Sequence, residues 1–283
     1  MTDVDVLAFG RERVRTRPFR AADQSAKVAL LAPIADAPLP SSAFVRRCVD
    51  TLAARGFDGV VTGALAPQEA RPFLAAGFAE AERLHLLTHD LSRLPTPGAV
   101  PGITLSVLRG ARRRLGVLPV DTAAFPPFWQ LDTAALDEAL HATPRVRCVE
   151  ASDAATGDVL GYVITGRARR RGYVQRLAVL PSAQGRGIGT ALVVDGLRWL
   201  RRWRTEHAVV NTQLDNLAAL AVYERLGFRR MPHGLTVLTL GEVGRPHEGR
   251  RDGQLRDGLP PGGLPREGRP PSGIRPGSAS GGR

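Results

Sequence analysis

The stretch Leu177-Ala-Val-Leu-Pro-Ser-Ala-Gln-Gly-Arg-Gly-Ile-Gly-Thr190 indicates a strand, a glycine-rich turn and a helix that begins immediately after the turn. A helix that starts behind such a turn presents free backbone N–H groups and the positive end of its dipole, which together suit a pyrophosphate. Glycines at 185, 187 and 189 leave room for a phosphate to approach the backbone. We therefore expect a phosphate-binding turn at residues 184–190.

Two other phosphate-binding loops do not fit this stretch. A dinucleotide fingerprint, Gly-x-Gly-x-x-Gly, would need its last glycine where the chain has Thr190 or Leu192. An ATP or GTP loop needs a Gly-Lys pair, and Lys27 is the only lysine of the chain. The pattern that is met is Gln/Arg-x-x-Gly-x-Gly/Ala.

A second block lies downstream, at Asn216-Leu-Ala-Ala-Leu-Ala-Val-Tyr-Glu-Arg-Leu-Gly-Phe228. Its spacing is Asn-x-x-Ala-x-x-x-Tyr-x-x-x-Gly-Phe. With the glycine turn before it, this block resembles the GNAT family of N-acetyltransferases over residues 103–241. The resemblance implies an α/β fold with a mixed sheet, the GNAT acyl-CoA acyltransferase fold.

The resemblance also implies acetyl-CoA as co-substrate and no metal. The backbones of Leu177 and Val179 would pair with the pantetheine arm, and Tyr223 would protonate the departing thiolate. The remaining cofactor-binding positions are Gln184, Gly185, Arg186, Gly187, Gly189, Thr190 and Asn216. Packing in the core of an amphipathic helix is the alternative interpretation of Tyr223.

The group that accepts the proton of the attacking amine is left open by the sequence. Between Tyr173 and Leu180 the polar residues are Gln175 and Arg176, and neither is a base at neutral pH. Glu150, at the end of a neighbouring strand, is the best remaining candidate, although it is also typical of a solvated strand-end carboxylate. His233 is a weaker candidate, and proton loss through bound water is equally compatible.

The central unit alternates strands and helices. A broken helical region is predicted at 120–142, a helix from Ile188 and a second helix at 217–226, ended by Gly227. Strands are predicted at 103–108, 145–150, 159–165, 173–180, 208–214 and 234–240. In the helix from Ile188, an apolar face that includes Trp199 and Trp203 is predicted to pack in the core. The cluster Phe125-Pro-Pro-Phe-Trp129 either walls the acceptor site or joins helix to sheet.

Two breaks divide the chain. Three prolines and two glycines at 94–102 predict a linker between an N-terminal unit, residues 1–93, and the central unit, 103–241. Residues 242–283 are rich in glycine and proline and poor in aliphatic residues, which predicts a disordered tail.

The N-terminal unit repeats part of the central unit at an offset of 150. Phe73-Leu-Ala-Ala-Gly-Phe78 aligns with Tyr223–Phe228, and Gly59–Thr62 aligns with Val209–Thr212. This resembles a degenerate second GNAT half, as in tandem-GNAT enzymes such as mycothiol synthase. The glycine turn is replaced by residues 33–40, where three prolines occur, so we expect a structural or regulatory half. Coincidence from common residue types is the alternative.

Composition limits the function classes. The formal net charge is +12, but the basic residues are nearly all arginine, which indicates a compositional bias, and we do not expect a nucleic-acid partner. Two cysteines, Cys48 and Cys148, without a histidine cluster support neither a zinc site nor a disulfide framework and predict a cytoplasmic protein. No apolar run is long enough to predict a membrane span.

The sequence thus predicts an N-acetyltransferase that acts on a primary amine of a protein or small molecule, in a ternary complex with acetyl-CoA. The alternative is a non-catalytic acyl-CoA-binding module. No oligomeric state is indicated.

Overall fold

The N-terminal third alternates strands with two helices. The computed structural model describes residues 5–19, 26–34, 37–96 and 100–243. The elements up to residue 96 are β1 (Asp5–Phe9), β2 (Glu12–Phe19), β3 (Val28–Pro33), α1 (Ser42–Ala54), β4 (Gly59–Thr62), α2 (Pro67–Leu74) and β5 (Ala79–His89).

The rest of the described chain holds seven strands and five helices. They are β6 (Ile103–Val107), α3 (Ala111–Leu115), α4 (Leu118–Ala124), α5 (Thr133–His141), β7 (Arg145–Asp153), β8 (Val159–Ala168), β9 (Arg171–Val179), α6 (Ile188–Arg202), β10 (His207–Gln213), α7 (Leu217–Arg225), β11 (Arg229–Arg230) and β12 (Leu235–Gly241). Single 3-10 turns occur at Pro127–Trp129 and Pro181–Ala183.

All of these strands belong to one mixed sheet, in the order β1-β2-β3-β4-β12-β5-β10-β9-β8-β7-β6, with β11 beside β5. Two neighbouring pairs are parallel, β3 with β4 and β9 with β10, and the others are antiparallel. This is the mixed α/β sheet that the sequence predicts.

The two sequence units exchange their last strands within this sheet. The final strand of the central unit, β12, lies between β4 and β5 of the N-terminal unit. The final strand of the N-terminal unit, β5, pairs with β10 from Ala208 to Gln213. Each unit therefore completes the sheet of the other.

The element order confirms that the 150-residue offset has a structural counterpart. The series β3, α1, β4, α2, β5 matches β9, α6, β10, α7, β12 in type and order. The aromatic pair Phe73–Phe78 has ring centroids 5.5 Å apart, and the corresponding pair Tyr223–Phe228 has the same separation. Gly77 and Gly227 both end their helices at positive φ, +100° and +92°.

Separate apolar clusters hold the helices on the sheet. Helices α6 and α7 pack with β7–β10 in a cluster that contains Ile188, Leu192 and Tyr223. Helices α1 and α2 pack in a cluster with β1–β4 and β12. Helices α4 and α5 cover β7–β9 through a third cluster, which contains Tyr162 and Ala178.

Some sequence predictions need correction. The helical region begins at Ala111, earlier than predicted, and holds three helices. Helix α3 ends at Leu115 before Gly116, and Pro126 and Pro127 separate α4 from α5. The strand predicted to end at Glu150 runs to Asp153. Trp203, predicted on the buried face, is 50% exposed, since it caps α6 and helical periodicity no longer sets its direction.

The remaining domain predictions lie partly outside the described residues. These are the centre of the linker, residues 97–99, and the tail from residue 244 onward.

Candidate acetyl-CoA site

The glycine-rich turn has the backbone that its glycines permit. Gly185 and Gly187 have φ of +78° and +84°, in the left-handed region that L side chains rarely adopt. Gly187 is the N-cap of α6 and makes no side-chain cap, so the helix leaves its first amides without internal acceptors. Residues 184–187 are exposed. The turn therefore offers free amides to a bound anion.

The side chains in and beside the glycine-rich turn make different contacts. Gln184 donates its side-chain amide to the carbonyl of Val179 at 3.2 Å, so this residue closes the turn. Arg186 is exposed. The pKa of Asp153 is lowered by hydrogen bonds from backbone amides and, in addition, by the positive charge of Arg186. A Cβ at Gly189 would lie 3.8 Å from Val179 and 3.9 Å from Leu177, which is ordinary contact. Thr190 is half-buried in the first turn of α6.

Strands β9 and β10 separate beside this turn. They pair from Arg171–His207 to Tyr173–Val209 and no further. A β-bulge follows in β9, since Thr165 and Ile164 of β8 pair with Val174 and Arg176 and leave Gln175 as the extra residue. Bulges bend a strand, and this one occurs where β9 leaves β10.

The separation leaves a V-shaped opening. On the β9 side, the opening is lined by the backbone of Leu177 to Val179. The other edge of β9 remains hydrogen-bonded to β8. The amide of Leu180 donates to the carbonyl of Leu160, so in the alternating antiparallel ladder Leu177 and Val179 direct their backbone groups away from β8, towards the opening. An extended chain such as a pantetheine arm fits an unpaired strand edge of this kind.

Tyr223 lies in α7, on the α6 side of the sheet. Its side chain is 4% exposed and packs edge-on against Phe228. Within the described part of the chain no hydrogen bond reaches its hydroxyl, and burial raises its pKa. The phenol therefore keeps its proton through the neutral pH range.

Asn216 has a structural task in the fold. Its side-chain oxygen accepts the amide of Ala219 at 3.1 Å and caps α7. Such a cap stabilises a helix by about 1 kcal/mol. Contact of Asn216 with the cofactor stays a prediction.

The sequence interpretation missed a buried network around Asp121 on the other face of β9. Asp121 is fully buried and accepts two hydrogen bonds from Arg176, each 2.8 Å, one from Tyr162 at 2.5 Å and one from the amide of Leu131 at 2.7 Å. Burial is the main cause that raises the pKa of Tyr162. An arginine inside a predicted strand, at 176, was the one available signal in the sequence.

The network fastens the segment Phe125–Leu131 to the sheet. Arg176 also donates to the carbonyl of Trp129 at 2.6 Å and lies 3.5 Å from the centroid of the Phe125 ring. Phe128 is buried and packs against Phe19 of β2, with centroids 5.3 Å apart. The contacts support the packing interpretation of this aromatic cluster and join it to the N-terminal unit.

The two candidate bases lie in different parts of the sheet. Glu150 sits inside β7, with Tyr162 of β8 directly opposite and Ala178 of β9 beyond that. Two strand spacings, about 10 Å, separate its backbone from that of β9. His233 is exposed in the turn before β12. Roles for Glu150 and His233 stay predictions.

The corresponding place in the N-terminal unit is closed. Strand β3 pairs with β4 from Val28–Gly59 to Leu31–Thr62, the full length of β4. The start of α1 is occupied by protein groups, because Ser41 accepts the amide of Phe44 at 3.2 Å and the Glu12 carboxylate accepts the amide of Ser41 at 2.5 Å. The Glu12 carboxylate thus occupies the position at the start of α1 where an anionic ligand would bind.

The residues that the structure describes lack two further features. They contain no group of three or more His, Cys, Asp or Glu side chains that could hold a metal ion. Their helices are too short or too polar to cross a membrane.

Comparison with known proteins agrees with this geometry. Residues 116–228 match the model of the Acetyltransferase (GNAT) family. The match includes the glycine turn, the V-shaped opening and Tyr223.

Two curated relatives are named mycothiol acetyltransferase. The one from Rhodococcus erythropolis is 31% identical over 153 residues, which cover 50% of this chain and 51% of the relative. The one from Pseudarthrobacter chlorophenolicus is 31% identical over 192 residues, 62% of this chain and 59% of the relative. The chain thus spans about half to three fifths of the length of these relatives.

A solved structure matches over both units. A tandem GNAT protein from the clavulanic acid biosynthesis pathway superposes with a TM-score of 0.61 at 15% identity, covering 83% of this chain and 81% of that chain. At this identity the likeness concerns the fold alone.

Proposed function

We propose that this protein is an N-acetyltransferase that transfers the acetyl group of acetyl-CoA to a primary amine in a ternary complex. The observation that carries the proposal is the separation of β9 from β10 after the Tyr173–Val209 pair, directly beside the free amides of the 185–190 turn. A thioester whose pyrophosphate lies on the turn would extend its pantetheine arm along Leu177–Val179.

The reaction we propose is direct attack. The nitrogen of a neutral amine forms a bond to the thioester carbonyl carbon, and the tetrahedral intermediate collapses as the carbon–sulfur bond breaks. Tyr223 gives its hydroxyl proton to the departing thiolate as a general acid, and the phenolate then regains a proton from water. Its buried phenol is protonated at neutral pH and has no competing protein acceptor among the described residues.

The attacking amine also loses one proton. Since β9 offers Gln175 and Arg176, and Arg176 is held by Asp121, we propose that this proton leaves through water rather than to a residue of β9. Acceptors that are partly neutral at neutral pH should then react best. Turnover should rise with pH until the amine is fully neutral.

The names of the relatives suggest a class of amine acceptor, which we include as part of the proposal. Because they are named mycothiol acetyltransferases, mycothiol-type amines belong in a panel with peptides, amino sugars and polyamines. The two cysteines are buried free thiols, in keeping with the cytoplasmic location that the sequence predicts.

We also propose that the N-terminal unit, residues 1–93, supports the sheet and binds no acetyl-CoA. The closed β3–β4 pair and the Glu12–Ser41 contact support this. Titration calorimetry of the full chain should give one acetyl-CoA per chain, and a stoichiometry near two would contradict the proposal.

The test of the activity is a thiol-release assay with acetyl-CoA against that panel. The proposal predicts acceptor-dependent release of CoA together with an N-acetylated product identified by mass spectrometry. The lack of a base on β9 favours a second candidate, an acyl-CoA-binding module without catalysis. Tight acetyl-CoA binding without transfer to any amine would support that second candidate.

A further inference from the structure

A dense arginine surface lies at the end of the molecule opposite the glycine turn. We define it as residues 167–171, at the β8–β9 hairpin, and residues 198–206, at the end of α6 and the start of the next connection. These two segments hold eight arginines and one acidic residue, Glu206, a formal charge of +7 within a chain of +12. The sequence suggested a bias spread over the chain, whereas the fold collects much of it here.

Direct contacts join the two segments into one surface. Arg167 donates to the carbonyl of Trp203 at 3.1 Å, and the amide of Glu206 donates to the carbonyl of Arg170 at 2.8 Å. Arg170 also pairs with the Glu206 carboxylate at 2.6 Å. Residues 169–171 and 201–204 are exposed, so most of the positive charge faces solvent.

An exposed tryptophan lies in this surface. Trp203 is 50% exposed, and the Arg167 guanidinium lies 4.9 Å from the centroid of its ring. One face of the indole is thus covered by a cation while half of the side chain remains open. Large aromatic side chains bury much apolar area when they can, so an open indole among arginines is informative.

Helix stabilisation explains only part of this surface. Arginines in the last turn of a helix interact favourably with its dipole, which accounts for Arg201 and Arg202. That effect fades within one turn and accounts neither for the hairpin arginines nor for the exposure of Trp203. Arginines that contact phosphates, next to an aromatic ring on which a base stacks, are the combination found in surfaces for single-stranded nucleic acid.

We propose that the arginine surface binds single-stranded nucleic acid, with its phosphates on the arginines and one unpaired base on the open face of Trp203. The surface is remote from the acetyl-CoA site, because the 15 residues of α6 separate the two ends by about 22 Å. The proposal therefore does not depend on acetyl transfer.

The test uses a fluorescein-labelled single strand of about 20 nucleotides, as DNA and as RNA, and follows anisotropy with the full-length protein. Three variants are compared: Trp203→Ala, Arg201→Glu with Arg202→Glu, and the control Arg11→Glu with Arg71→Glu. The control makes the same charge change on exposed arginines of the N-terminal unit. Melting temperature and acetyl-CoA affinity check that each variant is folded.

The proposal predicts binding that weakens steeply between about 50 and 200 mM salt. The Arg201/Arg202 variant should lose about tenfold or more in affinity, and the control should stay within about twofold. Trp203→Ala should lose between about fivefold and a hundredfold on the single strand, and Trp203→Phe should recover part of that loss.

Three results would overturn the proposal. Equal losses in the two charge-reversal variants would mean that net charge alone attracts the strand. Unchanged affinity in folded Trp203→Ala would show that no base stacks on Trp203. Competition by polyglutamate as effective as that of the unlabelled strand would make the surface a general one for acidic polymers.

Discussion

Tyr173 and Val209 form the last pair between β9 and β10, and beyond them the two strands separate. In the N-terminal unit the equivalent strands stay paired to Leu31 and Thr62, the last residue of β4. The same succession of elements therefore makes one open and one closed site. The difference coincides with the glycine turn, which is present at 185–189 and replaced by prolines in the N-terminal unit.

Replacing Gly189 by valine should abolish acetyl-CoA binding and leave the fold intact. A Cβ there makes only ordinary contacts, at 3.8 and 3.9 Å, but added methyl groups would occupy the space beside the first amides of α6. Calorimetric titration and thermal melting together measure this. Gly63→Val is the matched control, because a Cβ at Gly63 meets nothing within 4 Å and the site is not involved. Normal binding by Gly189→Val would show that the turn does not hold the pyrophosphate.

A chain that begins at residue 94 should not fold independently. It would leave β12 without either of its partners, β4 and β5, and β10 without β5. Unpaired strand edges of this length favour aggregation. Circular dichroism and thermal melting of the truncated chain are the measurements. A cooperative transition together with acetyl-CoA binding would show that the exchanged strands are dispensable.

Asp121→Asn should destabilise the protein by about 3–5 kcal/mol, because Arg176 would remain buried without its counter-charge. Denaturant unfolding measures this. The control is Glu224→Gln, which breaks the exposed pair with Arg230 and should cost no more than about 1 kcal/mol. Equal effects of the two substitutions would mean that the buried network contributes no more to the free energy of unfolding than a surface ion pair does.

Stability should fall below pH about 6.5 because of His89. His89 is buried, accepts the amide of Leu91 at 2.8 Å and contacts the carbonyl of Leu226 at 3.0 Å, and burial lowers its pKa. Between the folded and the unfolded pKa of His89, the unfolded chain therefore binds a proton on this residue that the folded chain does not bind. This contribution to stability is present above the unfolded pKa and is lost as the pH falls through the interval down to the folded pKa.

The slope from one such proton is at most about 1.4 kcal/mol per pH unit. Unfolding free energies between pH 7 and about pH 5 should therefore decline less steeply in His89→Gln than in wild type. His141→Gln, at an exposed site, serves as the control. Identical pH profiles for wild type and His89→Gln would exclude His89 as the group responsible.

The local signals in the sequence located the glycine-rich turn and α7 correctly. Glycine at positive φ and a cap residue before an apolar helix are short-range requirements, so residues 184–190 and 216–227 could be recognised directly. The offset of 150 residues likewise predicted a second set of elements.

Long-range pairings were not visible in the same way. Nothing in the sequence of β12 specifies β4 and β5 as its neighbours, since an apolar strand can pair with many edges. Asp121 and Arg176 are 55 residues apart, and only the fold shows that each is the counter-charge of the other. The exposure of Trp203 was missed because helical periodicity was extended past the last helical residue, Arg202.

The most direct test of acetyl transfer is to measure turnover and acetyl-CoA affinity for Tyr223→Phe beside wild type, using an acceptor from the amine panel. Phenylalanine keeps the ring and its contact with Phe228 but removes the proton donor. The account predicts that turnover falls by about 10² to 10⁴, the usual contribution of general acid catalysis, while affinity changes by no more than a few-fold. Full turnover in a folded Tyr223→Phe protein would contradict it and make Tyr223 a packing residue.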